Sequence, residues 1–220
     1  MCRWALKQRF FSVDPSLEVR SLQIARRRRP AGLTDPEIHS LLRVAGESRR
    51  NQAKRNYAIL QLLLQTGIRI GELAALKVGD AKIRDRSGNL RIQGKGTKER
   101  EVPLNTSARR ALRLYLEARG DVQAEEPMFL SDRSRNLSTR SLENLLRRLA
   151  RKAKITRVHV TPHVLRHTFA LSYLRQNPGK LVKLADLLGH ESLDTTAIYT
   201  QPSSEELAED LERSRLNVYG

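Results

Sequence analysis

Asn56-Tyr57-Ala58-Ile59-Leu60-Gln61-Leu62-Leu63-Leu64-Gln65-Thr66-Gly67-Ile68-Arg69 is the stretch on which the fold turns. Ile59, Leu60, Leu62, Leu63 and Leu64 make residues 56–65 apolar nearly all round, the pattern of a helix enclosed by others. Gly67 is placed to end that helix in a left-handed conformation. Arg69 then projects from an element terminus with a rigid backbone behind it. Its guanidinium presents parallel donors that match two phosphate oxygens. Glu72 stands three residues on, where it can orient the arginine. The plainer reading is an ordinary Arg69–Glu72 helix pair, worth little by itself.

Upstream, Thr34-Asp35-Pro36-Glu37 is a capping box with proline in the first turn, and Ile38, Leu41 and Leu42 follow at helical spacing. Downstream, residues 71–77 read as a short helix, and then the period changes. Residues 82–86, 90–93 and 100–103 read as short strands around Ser87-Gly88-Asn89 and Gly94-Lys95-Gly96. Helical patterns return at 107–118, 139–152, 162–176, 180–188 and 205–216. The expected fold is mainly α with a small antiparallel β-sheet.

Lys and Arg total 41 against 24 Asp and Glu, a formal net charge of +17 over 220 residues. Such an excess favours a polyanionic partner, of which nucleic acid is the usual one. A generally basic, solvated surface is the other reading. Cys2 is the single cysteine, so no disulfide forms within the chain and cysteine-rich zinc sites are excluded. No apolar stretch approaches a membrane span, so the chain reads as cytoplasmic. Ahead of Thr34 lies the run Arg26-Arg27-Arg28-Arg29-Pro30, suited to tracking phosphates or to serving as a linker. Residues 16–25 fit a short helix.

Five further positions carry chemistry. His163 and Arg166 share one helical face behind Thr161-Pro162. Arg166 alone also fits a salt-bridged surface arginine, and His167 beside it fits a supporting role. Lys95 lies in Gly94-Lys95-Gly96-Thr97-Lys98, a hairpin tip. It is not a Walker A loop, because Gly96 stands where a Ser or Thr would hold magnesium. The same lysine also fits an exposed basic turn. His190 follows Leu187-Leu188-Gly189, with Gly189 placed to close a helix. Nine residues of unbroken helix would set His190 and Tyr199 on opposite faces, so a break near Ser192 is expected.

In order and spacing these motifs resemble the catalytic domain of the tyrosine recombinases, the phage-integrase and Xer-like family. The resemblance rests on Thr66-Gly67-Ile68-Arg69-Ile70-Gly71-Glu72-Leu73, Gly94-Lys95-Gly96-Thr97-Lys98-Glu99-Arg100 with Val102-Pro103-Leu104, His163-Val164-Leu165-Arg166-His167-Thr168-Phe169-Ala170, Leu187-Leu188-Gly189-His190 and Tyr199. It implies that Tyr199 is the nucleophile, forming a 3′-phosphotyrosyl link and freeing a 5′-hydroxyl. Arg69 and Arg166 would clamp the non-bridging oxygens. Lys95 would protonate the departing oxygen, His163 would help remove the tyrosine proton, and His190 would donate to the phosphate. Glu72 and His167 would support them, while Arg26, Arg27, Arg28, Arg29, Lys98 and Arg100 are candidate DNA contacts.

The resemblance further implies site-specific recombination of double-stranded DNA by a homo-tetramer in the nucleoid, without metal, ATP or other cofactor. The expected organisation is a basic arm or linker remnant at 1–32, a catalytic domain at 33–202 and a C-terminal helix at 203–220. That last helix either packs on a neighbouring protomer or folds back on its own domain. Family members usually carry a core-binding domain ahead of the catalytic one, and the thirty or so residues before Leu33 are too few for it. Type IB topoisomerase-like relaxation shares the chemistry. A non-catalytic DNA-binding module would have no need of Tyr199.

Overall fold

A computed structural model describes residues 32–47, 50–94, 99–131 and 136–189, with the single positions Gln8 and Thr196. The basic arm, the 95–98 tip, His190, Tyr199 and the 205–216 segment lie outside the described residues. The described elements are helices α1 (Asp35–Gly46), α2 (Arg50–Thr66) and α3 (Ile70–Ala75), strands β1 (Ala81–Ile83), β2 (Gly88–Gln93) and β3 (Glu99–Pro103), and helices α4 (Thr106–Arg119), α5 (Thr139–Lys152), α6 (Pro162–Gln176) and α7 (Leu181–Leu188).

Helix α2 is the axis of the molecule. It packs against α1, α3, α4 and α6, which is why Ala58, Ile59, Leu60, Leu62, Leu63 and Leu64 are all buried. Burying one such leucine contributes about 1.5–3 kcal/mol. The helix begins earlier than the apolar run because residues 50–55 continue the spiral at its polar start. Arg55 is itself buried there, donating from Nη1 to the Leu130 carbonyl at 2.7 Å.

The caps at Thr34, Thr161, Gly67 and Gly189 fall where the sequence places them, and Ser138 supplies a further one. The Thr34 N–H donates to Glu37 Oε2 at 2.8 Å, and the Glu37 N–H donates to Thr34 Oγ1 at 3.4 Å. Thr161 and Ser138 accept from the Val164 and Ser141 N–H groups at the starts of α6 and α5. Gly67 and Gly189 both take positive φ, 62° and 64°, as helix-ending residues.

The sheet has three antiparallel strands in the order β1-β2-β3. Leu90, Ile92 and Val102 are buried on one face, and Arg91, Gln93, Glu99 and Glu101 are exposed on the other, the alternation of a half-buried sheet. Two boundaries differ from the expected ones. The first turn comes earlier, closed by the Arg84 N–H on the Ser87 carbonyl at 2.9 Å, so Gly88 and Asn89 sit inside β2 rather than in the turn. Glycine suits position 88 because a Cβ there would stand 2.9 Å from both the Lys82 carbonyl oxygen and Arg109 Cδ. Helix α3 ends at Ala75 because the next backbone groups pair elsewhere: Leu76 O accepts from the Met128 N–H at 2.7 Å, and the Val78 N–H donates to Glu126 O at 2.9 Å.

Where α6 meets α7, Ala170, Leu184 and Leu188 form a second, smaller apolar cluster flanked by Phe169, Tyr173 and Leu174. This contact holds the C-terminal end of α7 over the α2–α3 junction.

Candidate active site

The site is built around that end of α7. A helix leaves its last carbonyls without partners inside the helix and carries about half a negative charge there. In this chain three arginines supply the partners. Arg166 Nη2 donates to the Leu188 carbonyl at 2.8 Å, and its Nη1 reaches Gly67 O at 2.7 Å. Arg69 donates from Nη2 to Gly189 O at 3.1 Å and from Nη1 to Leu188 O at 3.5 Å. Arg100 Nε donates to Leu187 O at 3.4 Å. Arg69 and Arg166 therefore meet on one carbonyl oxygen, although 97 positions of sequence separate them.

Each arginine is placed by a different element. Arg69 caps the start of α3 in extended conformation, directly after the left-handed turn at Gly67. Arg166 stands on α6 and is buried, so it is not the surface arginine of the plainer reading. Arg100 stands on β3 opposite Ile92, on the strand face shared with buried Val102. Strand alternation alone turns its side chain toward the interior.

Glu72 ties the group together. Its carboxylate accepts both Arg100 terminal nitrogens at 2.9 Å, the Arg69 N–H at 2.7 Å and Arg69 Nη1 at 3.1 Å. The Arg69–Glu72 contact thus belongs to a network rather than to an isolated helix pair. Burial pushes the Glu72 carboxyl up, but the bonds from Arg100 and the Arg69 backbone outweigh it and hold the group below its ordinary 4.5. Among the described residues, three guanidiniums face one carboxylate and one helix end, an arrangement richer in cationic donors than in anionic acceptors. That balance suits an anion.

Exposure separates the arginines. The Arg69 side chain is 47% exposed, against 18% for Arg100 and 8% for Glu72. Among the described residues no acceptor meets Arg69 Nε, one of the donors with which an arginine pairs with phosphate oxygens. His163 lies one turn before Arg166 on α6 with its side chain exposed, and His167 is buried. The structure so gathers Arg69, Glu72, Arg100 and Arg166, with His167 next in sequence to Arg166. Arg26, Arg27, Arg28, Arg29, Lys95, Lys98, His190 and Tyr199 lie outside the described residues.

Thr168 supports the site without a local sign in the sequence. Its Oγ1 accepts the Leu33 N–H at 2.9 Å and donates to Val164 O at 2.7 Å, fastening the segment ahead of α1 to the helix that carries Arg166. A β-branched residue two positions after an arginine carries no signal of that role.

A family model, the phage integrase family, matches residues 32–206. The chain belongs to the phage integrase family. Among curated relatives it is similar to tyrosine recombinase XerC of Corynebacterium efficiens, 35% identical over 94% of this chain and 65% of the relative. It is equally similar to tyrosine recombinase XerC of Bacillus pumilus, 35% identical over 93% of this chain and 68% of the relative. The chain therefore spans about two thirds of the length of these relatives. Among solved structures it resembles the XerA recombinase with TM-score 0.68 and 35% identity, over 86% of this chain and 66% of that one. A post-cleavage complex of the XerH site-specific recombinase bound to palindromic difH substrate matches with TM-score 0.73 and 27% identity, over 86% of this chain and 55% of that one. Family membership accords with the mainly α fold and its small antiparallel sheet.

Proposed function

We propose that this chain cleaves and rejoins DNA strands through a 3′-phosphotyrosyl link at Tyr199, as the catalytic part of a site-specific recombinase. The observation that carries this reading is the meeting of Arg69 and Arg166 on the Leu188 carbonyl. Two guanidiniums from separate elements converge beside the end of the helix that precedes His190 and Tyr199 in sequence.

The chemistry follows from the groups. A phosphodiester resists attack because it is anionic and gathers further charge on its oxygens in the transition state. Fixed cationic donors stabilise that charge, each commonly by about 3–4 kcal/mol. A tyrosine hydroxyl with pKa near ~10 needs a base or a strong positive field to attack at neutral pH. His163 assists removal of that proton, His190 donates to the phosphate, and Lys95 protonates the departing 5′ oxygen. The covalent link retains the energy of the broken bond, so rejoining needs no ATP.

The catalytic unit in this reading is residues 33–202. Double-stranded DNA is the substrate and partner, approached by the basic arm at 1–32 and by Lys98. Segment 203–220 packs on a neighbouring protomer in a homo-tetramer on DNA. The testing experiment is capture on a nicked suicide substrate, whose short fragment bearing the freed 5′-hydroxyl diffuses away after cleavage. A covalent protein–DNA band resistant to denaturant and removed by protease supports the reading, and its absence at saturating protein on cognate and random sites refutes it.

A further inference from the structure

We propose that Arg100 is a positioning residue of the phosphate site, acting through Glu72 and the end of α7 to fix where the Arg69 and Arg166 guanidiniums stand. This rests on the function proposed above.

Four observations carry it. Arg100 grips both Glu72 oxygens at 2.9 Å, a two-point contact that fixes the carboxylate plane. Arg69 is consequently left with one side-chain contact to Glu72, at 3.1 Å. The third bond of Arg100, to Leu187 O at 3.4 Å, lies one residue before the carbonyl on which Arg69 and Arg166 meet. Finally, the guanidinium lies against Gly189, where a Cβ would stand 2.8 Å from Cζ and 2.9 Å from Nε and Nη1. The φ of 64° at Gly189 already favours glycine, and the close approach of Arg100 adds a second reason for it.

Without Arg100, each Glu72 oxygen would keep one bond from Arg69 and gain a vacant acceptor position. Arg69 is the nearest guanidinium, already bonded to it through backbone and side chain. A two-point pair between them would turn the Arg69 fork toward the carboxylate and away from a phosphate. Arg100 prevents this by occupying the carboxylate first. At 18% exposure, with its three donor nitrogens engaged, it is poorly placed to touch DNA itself.

The test uses the full chain on the nicked suicide substrate. Wild type is compared with Arg100→Gln, Arg100→Lys, Glu72→Gln and the double variant Arg100→Gln/Glu72→Gln. Adduct rate at saturating protein, DNA affinity across a salt series and a urea midpoint are read for each. Positioning predicts a rate lower by about 100-fold for Arg100→Gln, the usual consequence of misplacing a reacting group by an ångström, with affinity and salt slope as in wild type. Arg100→Lys recovers part of the rate, and the double variant is no slower than the slower single one.

A salt slope shallower by about 0.9 in Arg100→Gln would make Arg100 a direct phosphate contact and overturn the proposal. Defects that multiply in the double variant, or an unchanged rate in Arg100→Gln, would overturn it too. Should Arg100→Gln fail to fold, Arg100→Lys decides. Lysine keeps the charge but cannot span both oxygens, so a folded Arg100→Lys with the wild-type rate sinks the idea. Absence of an adduct in wild type would instead refute the proposed function and this inference with it.

Discussion

Replacing Gly67 by alanine probes the joint between the buried axis and the site. The residue has φ 62°, which costs an alanine about 1–2 kcal/mol. Its Cβ would land 2.3 Å from Phe169 Cδ1 and 2.8 Å from Leu188 Cδ2. Relieving such overlap by shifting neighbours costs a further ~1–3 kcal/mol. The expected loss is therefore about 2–5 kcal/mol, which for a chain of this size lowers Tm by roughly 4–20 °C. Gly71→Ala is the matched control. Gly71 lies in α3 with nothing within 4 Å of a Cβ, so alanine there should stabilise by about 0.4–1 kcal/mol. Urea unfolding of both variants at one temperature gives the comparison directly. The clash with Leu188 also disturbs the carbonyl on which the arginines meet, and Gly67 O itself accepts from Arg166 at 2.7 Å. Adduct formation by Gly67→Ala should consequently fall even where the variant is folded. Gly67→Ala and Gly71→Ala of equal stability would refute the reasoning, since it places the whole difference in φ and the Phe169–Leu188 contact.

Arg166→Ala should slow cleavage by about 100-fold or more while weakening DNA binding little, because affinity is spread over a +17 chain; rate and affinity falling in equal proportion would reduce Arg166 to simple phosphate binding. Lys95→Ala should cleave ordinary DNA very slowly and recover on DNA with sulfur at the 5′ bridging position, since a thiolate leaves with little need of a proton; equal defects on both substrates would remove Lys95 from the acid role. Glu72 is held below 4.5, so its contribution to stability is fully present above that value and is lost as pH falls through the lower folded value. Urea midpoints of wild type and Glu72→Gln should accordingly converge as the pH is taken below 4.5, and a gap independent of pH would show that the ion pairs contribute nothing.

The parts of this fold legible in sequence are those set by local rules. The Thr34–Glu37 box, the apolar run through Leu64 and the glycines at 67 and 189 each declare a cap, a buried helix or a left-handed stop within a few residues. The strand boundary at Gly88 was less legible. Glycine signals a turn by default, and here the earlier closure by Arg84 on Ser87 and the close approach of Lys82 O and of the stem of Arg109, 21 positions on, place it in a strand. Arg100 shows the same limit in the site. Its sequence setting suggests DNA contact, because a basic residue after a hairpin tip is ordinarily exposed. Two steps beyond lies Val102, and their shared strand face was the available sign that Arg100 turns inward. Its partners, Glu72 and Leu187, lie 28 and 87 positions away, beyond the reach of any local pattern. The same holds for Thr168, tied to Leu33 across 135 positions.

The central claim is that Tyr199 attacks the phosphodiester. Wild type and Tyr199→Phe are mixed with the nicked suicide substrate, and the denatured products are digested and mapped by mass spectrometry. Wild type should give an adduct on the peptide containing Tyr199, and Tyr199→Phe none, with DNA binding nearly unchanged. An adduct that persists in Tyr199→Phe, or that maps to another residue such as Tyr219, would contradict it.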